Sequence, residues 1–309
     1  MIEHGLARVT LVATLLLLVV GGLVHATGSS LACPDWPLCY GQFFPAMEGG
    51  VLFEHGHRLA ALAVTVLAAS LAVATFRRRR EPSLRALAGT AVLLVLLQAS
   101  LGAATVLFKL PLLVSSAHLA TSMAFLSTVA ALAWFLAPPS AGDAAPPAGA
   151  GVRVLAGAAA VAVYAQIVIG AFVRHSGSGL ACGTDAVLCQ GALWPAGGPA
   201  QLQMLHRLAG VLAATLAAAA GVAAVRRGPR RARPSAVLAP LLALVQLGLG
   251  AWTVWSLIAV PVVSLHLAVG ALLLADAVTL FLALGSRSPR ALASSPSAVA
   301  EPLAAGGDA

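Results

Sequence analysis

Long apolar runs, broken by short polar segments, recur along this chain and predict helices rather than strands. Each run is about 20 residues, the length that ~30 Å of hydrocarbon requires at about 1.5 Å per residue. Eight are legible, at 7–26, 54–76, 85–107, 112–136, 153–173, 203–225, 236–256 and 261–284. The first stands where a signal peptide would, but its counterpart at 153–173 is internal, so it is read as a spanning helix. The expected fold class is all-α integral membrane: eight transmembrane helices arranged as two tandem four-helix bundles.

The tandem arrangement follows from a block that is written twice. Val24–Leu62 (VHATGSSLACPDWPLCYGQFFPAMEGGVLFEHGHRLAAL) is repeated at Val173–Val211 (VRHSGSGLACGTDAVLCQGALWPAGGPAQLQMLHRLAGV). Cys33 corresponds to Cys182 and His57-Arg58 to His206-Arg207, both 149 positions on, and Cys39 corresponds to Cys189, 150 on. A second paired block, LLQASLGAATV and LVQLGLGAWTV, precedes His118 and His266. The expected units are a first half at 1–136, a linker at 137–152, a second half at 153–284 and a disordered tail at 285–309. Linker and tail are assigned from their Ala/Pro/Gly-rich, aperiodic composition.

Composition agrees with the pattern. Only 9% of residues are charged and 60% are hydrophobic, more apolar surface than a soluble domain of 309 residues could bury. The net charge of +8 is segregated. Arg77–Arg80 with Arg85, and Arg226, Arg227, Arg230, Arg231 and Arg233, lie between runs two and three and between six and seven. Arg8, Arg153, Arg287 and Arg290 flank other ends on the same side. The positive-inside rule then puts both termini in the cytoplasm and both cysteine segments on the outer side of the cell membrane. These arginines are topology anchors, and no nucleic-acid role is expected.

An oxidising exterior favours the disulfides Cys33–Cys39 and Cys182–Cys189. Two readings stay open: a structural staple over the helix mouths, or a redox-active pair. A zinc site is disfavoured by the spacing. The histidines are more telling. His57, His118, His206 and His266 fall in the outer turns of runs two, four, six and eight, and coordinating side chains inside a span are costly and usually functional. Imidazoles facing each other across a bundle can supply both axial ligands of a haem iron, one haem per half. Arg58 and Arg207 sit where haem propionates need cations. Gln98 with Gly102, Gln166 with Gly170 and Gln246 with Gly250 repeat as Q-x3-G, a spacing that permits close approach.

The halves also differ. Glu54 lies three residues before His57, on one helix face with it, and Gln203 takes its place in the second half. A carboxylate there can act as a base or stabilise developing charge, which the amide cannot. The first half is therefore expected to perform chemistry and the second to carry electrons.

The CPDWPLC segment, the E-x-x-H-R motif (Glu54, His57, Arg58), the LHR motif (Leu205–Arg207) and the duplication together resemble the haem A synthase family over roughly residues 8–284. The resemblance implies an oxidoreductase that converts the C8 methyl of haem O to a formyl group by successive hydroxylations. It implies substrate haem O on His57 and His118 with Arg58, and a haem b cofactor on His206 and His266 with Arg207. Glu54 would be the essential catalytic glutamate, with Cys33 and Cys39 as the family's outer-loop pair. A haem O synthase, an electron acceptor and membrane lipid are the implied partners, and a homo-oligomer is compatible with this picture. The competing readings are a non-catalytic di-haem electron carrier, an outer-face thiol–disulfide oxidoreductase and a haem transporter.

Overall fold

The computed structural model describes residues 1–138 and 146–285. Within them lie eight helices long and apolar enough to cross a membrane, and no strand. They are α1 (Ile2–Ala26), α2 (Gly49–Arg78), α3 (Pro82–Leu107), α4 (Leu112–Leu136), α5 (Ala150–His175), α6 (Gly198–Arg227), α7 (Arg233–Trp255) and α8 (Val260–Leu284). Single 3-10 turns at Ser178–Leu180 and Arg230–Ala232 complete the set.

Every expected helix is present, and the differences are at the ends. Helices α2 and α6 begin five residues earlier than the apolar runs. Their second turns carry Glu54 and Gln203, polar residues that are nonetheless buried. Helix α5 begins at Ala150, inside the stretch read as linker. The rest of that linker from 139 to 145, and the tail from 286 with Arg287 and Arg290, lie outside the described residues.

Helices α1–α4 pack as one ring and α5–α8 as another. The rings meet along α1, α4, α5 and α8, with α1 against α8 and α4 against α5 as equivalent contacts of the duplication. Close approach at this seam depends on Gly22, where a Cβ would stand 2.8 Å from Leu267 Cδ2. Tyr164 of α5 donates across it to the Ala120 carbonyl of α4 at 3.0 Å. The two cores differ in grain. Leu71, Leu84, Phe125, Val129 and Leu132 fill the first half. Alanines fill the second, among them Ala156, Ala213, Ala217, Ala220, Ala236 and Ala239. Small residues let helices approach where hydrocarbon supplies no hydrophobic drive. Gly221 shows the limit, since a Cβ there would stand 2.6 Å from the Ala236 carbonyl oxygen. Several hydroxyls inside the spans are satisfied locally, as when Thr10, Thr14 and Thr75 donate to carbonyls four residues earlier.

The cysteine loops, α1–α2 and α5–α6, emerge at one end of the molecule because the repeats run parallel. The arginines gather at the other. There Arg79 pairs with buried Glu3 at 2.8 Å, and Arg231 donates to the Ala283 and Gly285 carbonyls that end α8.

Candidate functional site

All four histidines are built into the same local frame. His57 and His206 stand eight residues into α2 and α6, and His118 and His266 six residues into α4 and α8. Each imidazole presents its Cε1 corner to a glycine of the neighbouring helix. A Cβ at Gly21 would stand 2.9 Å from His57 Cε1, and one at Gly170 would stand 2.9 Å from His206 Cε1. At Gly102 and Gly250 the distances to His118 and His266 Cε1 would be 3.2 and 3.3 Å. Real Cβ atoms essentially never come under 3.0 Å, so the rings at Gly21 and Gly170 depend on glycine, and those at Gly102 and Gly250 fit closely against it.

One turn before three of these glycines stands a glutamine whose amide reaches the ring. Gln166 Nε2 donates to His206 Nδ1 at 2.9 Å and to the His206 carbonyl at 2.7 Å. Gln98 Nε2 lies 3.1 Å from His118 Nε2 and bonds Ser122 Oγ. Gln246 Nε2 lies 3.4 Å from His266 Nε2 and donates to its carbonyl at 3.1 Å. The Q-x3-G repeat thus marks histidine seats, a more specific role than close helix packing. The fourth seat, Gly21, escaped that motif because Leu17 stands where the glutamine would be.

His206 and His266 face each other with ring centroids 6.5 Å apart and planes at 73°. Two imidazoles on opposite sides of one iron, each nitrogen about 2 Å from the metal, have centres roughly 6 Å apart. The residues present therefore fit a single haem iron. In the first half His57 and His118 are close enough to interact electrostatically. Buried Nδ1 atoms of His57, His118 and His266 have no hydrogen-bond partner.

Above the histidines the loops are held by the residues that distinguish the halves. Glu54 Oε2 accepts the Cys33 N–H at 2.8 Å and Oε1 accepts Arg58 Nη2 at 2.6 Å. Gln203 Oε1 accepts the equivalent Cys182 N–H at 2.7 Å, but its Nε2 donates to the Gly179 carbonyl. Both side chains thus cap the same cysteine, and only the carboxylate also binds an arginine. The consequence falls on the arginines. Arg58 gives Nη1 to the Asp35 and Leu38 carbonyls and Nη2 to Glu54. Arg207 gives Nη1 to the Leu188 carbonyl at 3.1 Å, while its buried Nη2 has no acceptor.

The disulfides Cys33–Cys39 and Cys182–Cys189 are both formed. Each cysteine pair closes on a two-residue bridge, Cys39 with Gln42 and Cys189 with Ala192. Asp35 shapes the first loop by accepting from the Gly41 and Tyr40 amides, and the Gly41 bond above all holds its carboxyl below the ordinary carboxylate range. Asp185 does the same in the second loop with Val187 and Leu188. His55 does not point toward His57. It is buried against Cys33 and Cys39, with Nε2 on the Phe43 carbonyl at 2.9 Å, and Met204 takes this place beside the second disulfide. At the seam, His25 and His175 stack with centroids 4.7 Å apart, a pairing no motif in the sequence announces.

Fold and site define a class: a duplicated eight-helix membrane protein that seats two pairs of histidines near one end, the second pair face to face. Comparison with known proteins places the chain within it. The model of the COX15-CtaA family, described as cytochrome oxidase assembly protein, matches residues 5–55 and 50–278, and the chain belongs to this family. It is 34% identical over 215 residues to Heme A synthase of Bacillus pumilus, covering 67% of this chain and 70% of that one. Heme A synthase of Symbiobacterium thermophilum is 36% identical over 217 residues, covering 66% and 70%. That of Geobacillus kaustophilus is 29% identical over 259 residues, covering 81% of each.

Proposed function

We infer that this chain is a haem A synthase, an oxidoreductase of the membrane that takes haem O as its substrate and oxidises the C8 methyl to a formyl group. The observation that carries this reading is the fourfold repetition of a half-buried histidine on a glycine seat, with one facing pair at a separation suited to one iron. Family membership supplies the substrate class.

The finer assignment gives the two halves different work. His57 and His118 hold the substrate iron, and His206 and His266 hold haem b, which when bound supplies one-electron redox chemistry. Arg207, with a buried unpaired Nη2, is the cation offered to a haem carboxylate. Arg58 and Glu54 act as a unit. Glu54 fastens the disulfide loop over the pocket through Cys33 N–H, orients Arg58, and keeps a negative charge one turn from His57. That charge can stabilise positive charge developing at the substrate or receive a proton from it. Gln203 reproduces the fastening without the charge. The arginine-rich end faces the cytoplasm with both termini, and the cysteine loops face outward. A haem O synthase delivers the substrate, and an electron acceptor completes each turnover. Methyl to hydroxymethyl and hydroxymethyl to formyl are each two-electron oxidations of the carbon, so four electrons pass to the acceptor for each formyl group made.

Expression in a cell that makes haem O but no haem A, followed by extraction and mass analysis of the haems, tests the reading. Hydroxylated and formyl haems are expected; an extract holding only unmodified haem O and haem b would reject it in favour of a di-haem carrier.

A further inference from the structure

The two halves differ at a second place, beneath the histidines rather than above them. In three of the four seats a glutamine amide braces the ring, and four residues beyond each of those histidines stands a small residue that makes room for it. Gly210 follows His206, and a Cβ there would stand 2.9 Å from Gln166 Nε2. Gly270 follows His266, with 3.1 Å to Gln246 Nε2. Ser122 follows His118 and bonds Gln98 directly. At the fourth seat both elements have changed together. Leu17 replaces the glutamine, one turn before Gly21, and Ala61 replaces the glycine one turn after His57. Among the described residues no side chain donates to the His57 ring, and its buried Nδ1 is unpaired. The arginines repeat the asymmetry, Arg58 being neutralised by Glu54 while Arg207 keeps a free donor.

A metal-ligating imidazole donates its other ring N–H; the buried, unpaired Oε1 atoms of Gln98, Gln166 and Gln246 are acceptors for it and Leu17 supplies none, and losing such a partner costs roughly 10- to 100-fold in metal affinity. We propose that the Leu17–Ala61 pair makes His57 the releasable ligand of the molecule, so that the first half exchanges its haem while the amide-braced second half retains its own. This rests on the assignment of substrate to the first half and cofactor to the second. A site that must admit one macrocycle and discharge its oxidised product needs a ligand that lets go, whereas a resident cofactor needs the opposite.

The test follows haem transfer from the detergent-purified full chain, loaded with haem O, to excess apomyoglobin by the Soret band. Two phases are expected, with His57→Ala abolishing the fast one and His206→Ala the slow one. The double variant Leu17→Gln/Ala61→Gly installs the amide and the space for it, and should slow the fast phase about tenfold. Ala61→Gly alone should leave that phase unchanged, and Gln166→Leu should speed the slow phase by a similar factor. A double variant that melts like the parent and still exchanges at the parent's rate overturns the proposal. A fast phase removed by His206→Ala and spared by His57→Ala would instead overturn the assignment of the halves beneath it.

Discussion

The glycine seats give a graded prediction. An alanine at Gly170 places a Cβ 2.9 Å from His206 Cε1, and ordinary contact begins at 3.4 Å, so the ring must retreat by about 0.5 Å. At Gly250 the same substitution starts from 3.3 Å and asks His266 for about 0.1 Å. Gly248, two residues away on α7, has nothing within 4 Å of an added Cβ and serves as the control. Overpacking of this kind costs about 1–3 kcal/mol, whereas an unobstructed Gly→Ala change in a helix gains roughly 0.5–1 kcal/mol. Displacement of a ligand by about 0.5 Å is also the tolerance within which a binding constellation must be held. Gly170→Ala should therefore lose haem b by tenfold or more in a titration with a haem scavenger, Gly250→Ala by a small factor, and Gly248→Ala not at all. Thermal unfolding should follow the same order. If Gly170→Ala and Gly248→Ala retained haem b equally, the glycines would not be seats for the histidine rings.

Glu54→Gln should fold with a melting temperature near the parent's, because Gln203 shows that an amide caps the cysteine N–H, yet lose haem A production. Glu54→Ala should also destabilise by about 1–3 kcal/mol in thermal melts, by leaving the buried Cys33 N–H unpaired. Arg207→Gln should weaken haem b retention by roughly tenfold, the scale of one hydrogen bond to a charged group. Arg58→Gln should instead loosen the first loop, seen as faster proteolysis between Pro34 and Pro45. Asp35 and Asp185 stabilise their loops as carboxylates with lowered pKa values. Their contribution is complete above the ordinary 3.8 and is lost as pH falls through the lowered values, so the Gly41 and Val187 amides should lose exchange protection only in that acid range.

Much of this was legible in the chain because a membrane admits few backbone solutions, and apolar runs of the right length announce helices directly. The errors at α2 and α6 have a single cause. Glu54 and Gln203 ended the apolar run in the sequence, but their polarity is spent on cysteine N–H groups, so the helix continues beneath the loop to Gly49 and Gly198. The duplication exposed the histidines and the Glu54–Gln203 mismatch. It did not expose what the mismatch does, because an arginine's choice of acceptor depends on loop carbonyls such as those of Asp35 and Leu38. The Leu17–Gln166 mismatch was equally present in the letters and equally silent. A leucine among leucines carries meaning only once Gly21 is seen beneath His57. The stack of His25 on His175 joins two helix ends that only the seam between halves brings together.

The claim at the centre of the account is that one scaffold, copied twice, holds a substrate haem in one half and a resident haem in the other. It is tested most directly by extracting and weighing the haems bound to purified His57→Ala and His206→Ala after expression with a haem O source. His57→Ala should carry haem b and no haem O or haem A. His206→Ala should carry haem O, lack haem b and form no haem A. Haem b lost from His57→Ala and kept by His206→Ala would contradict it.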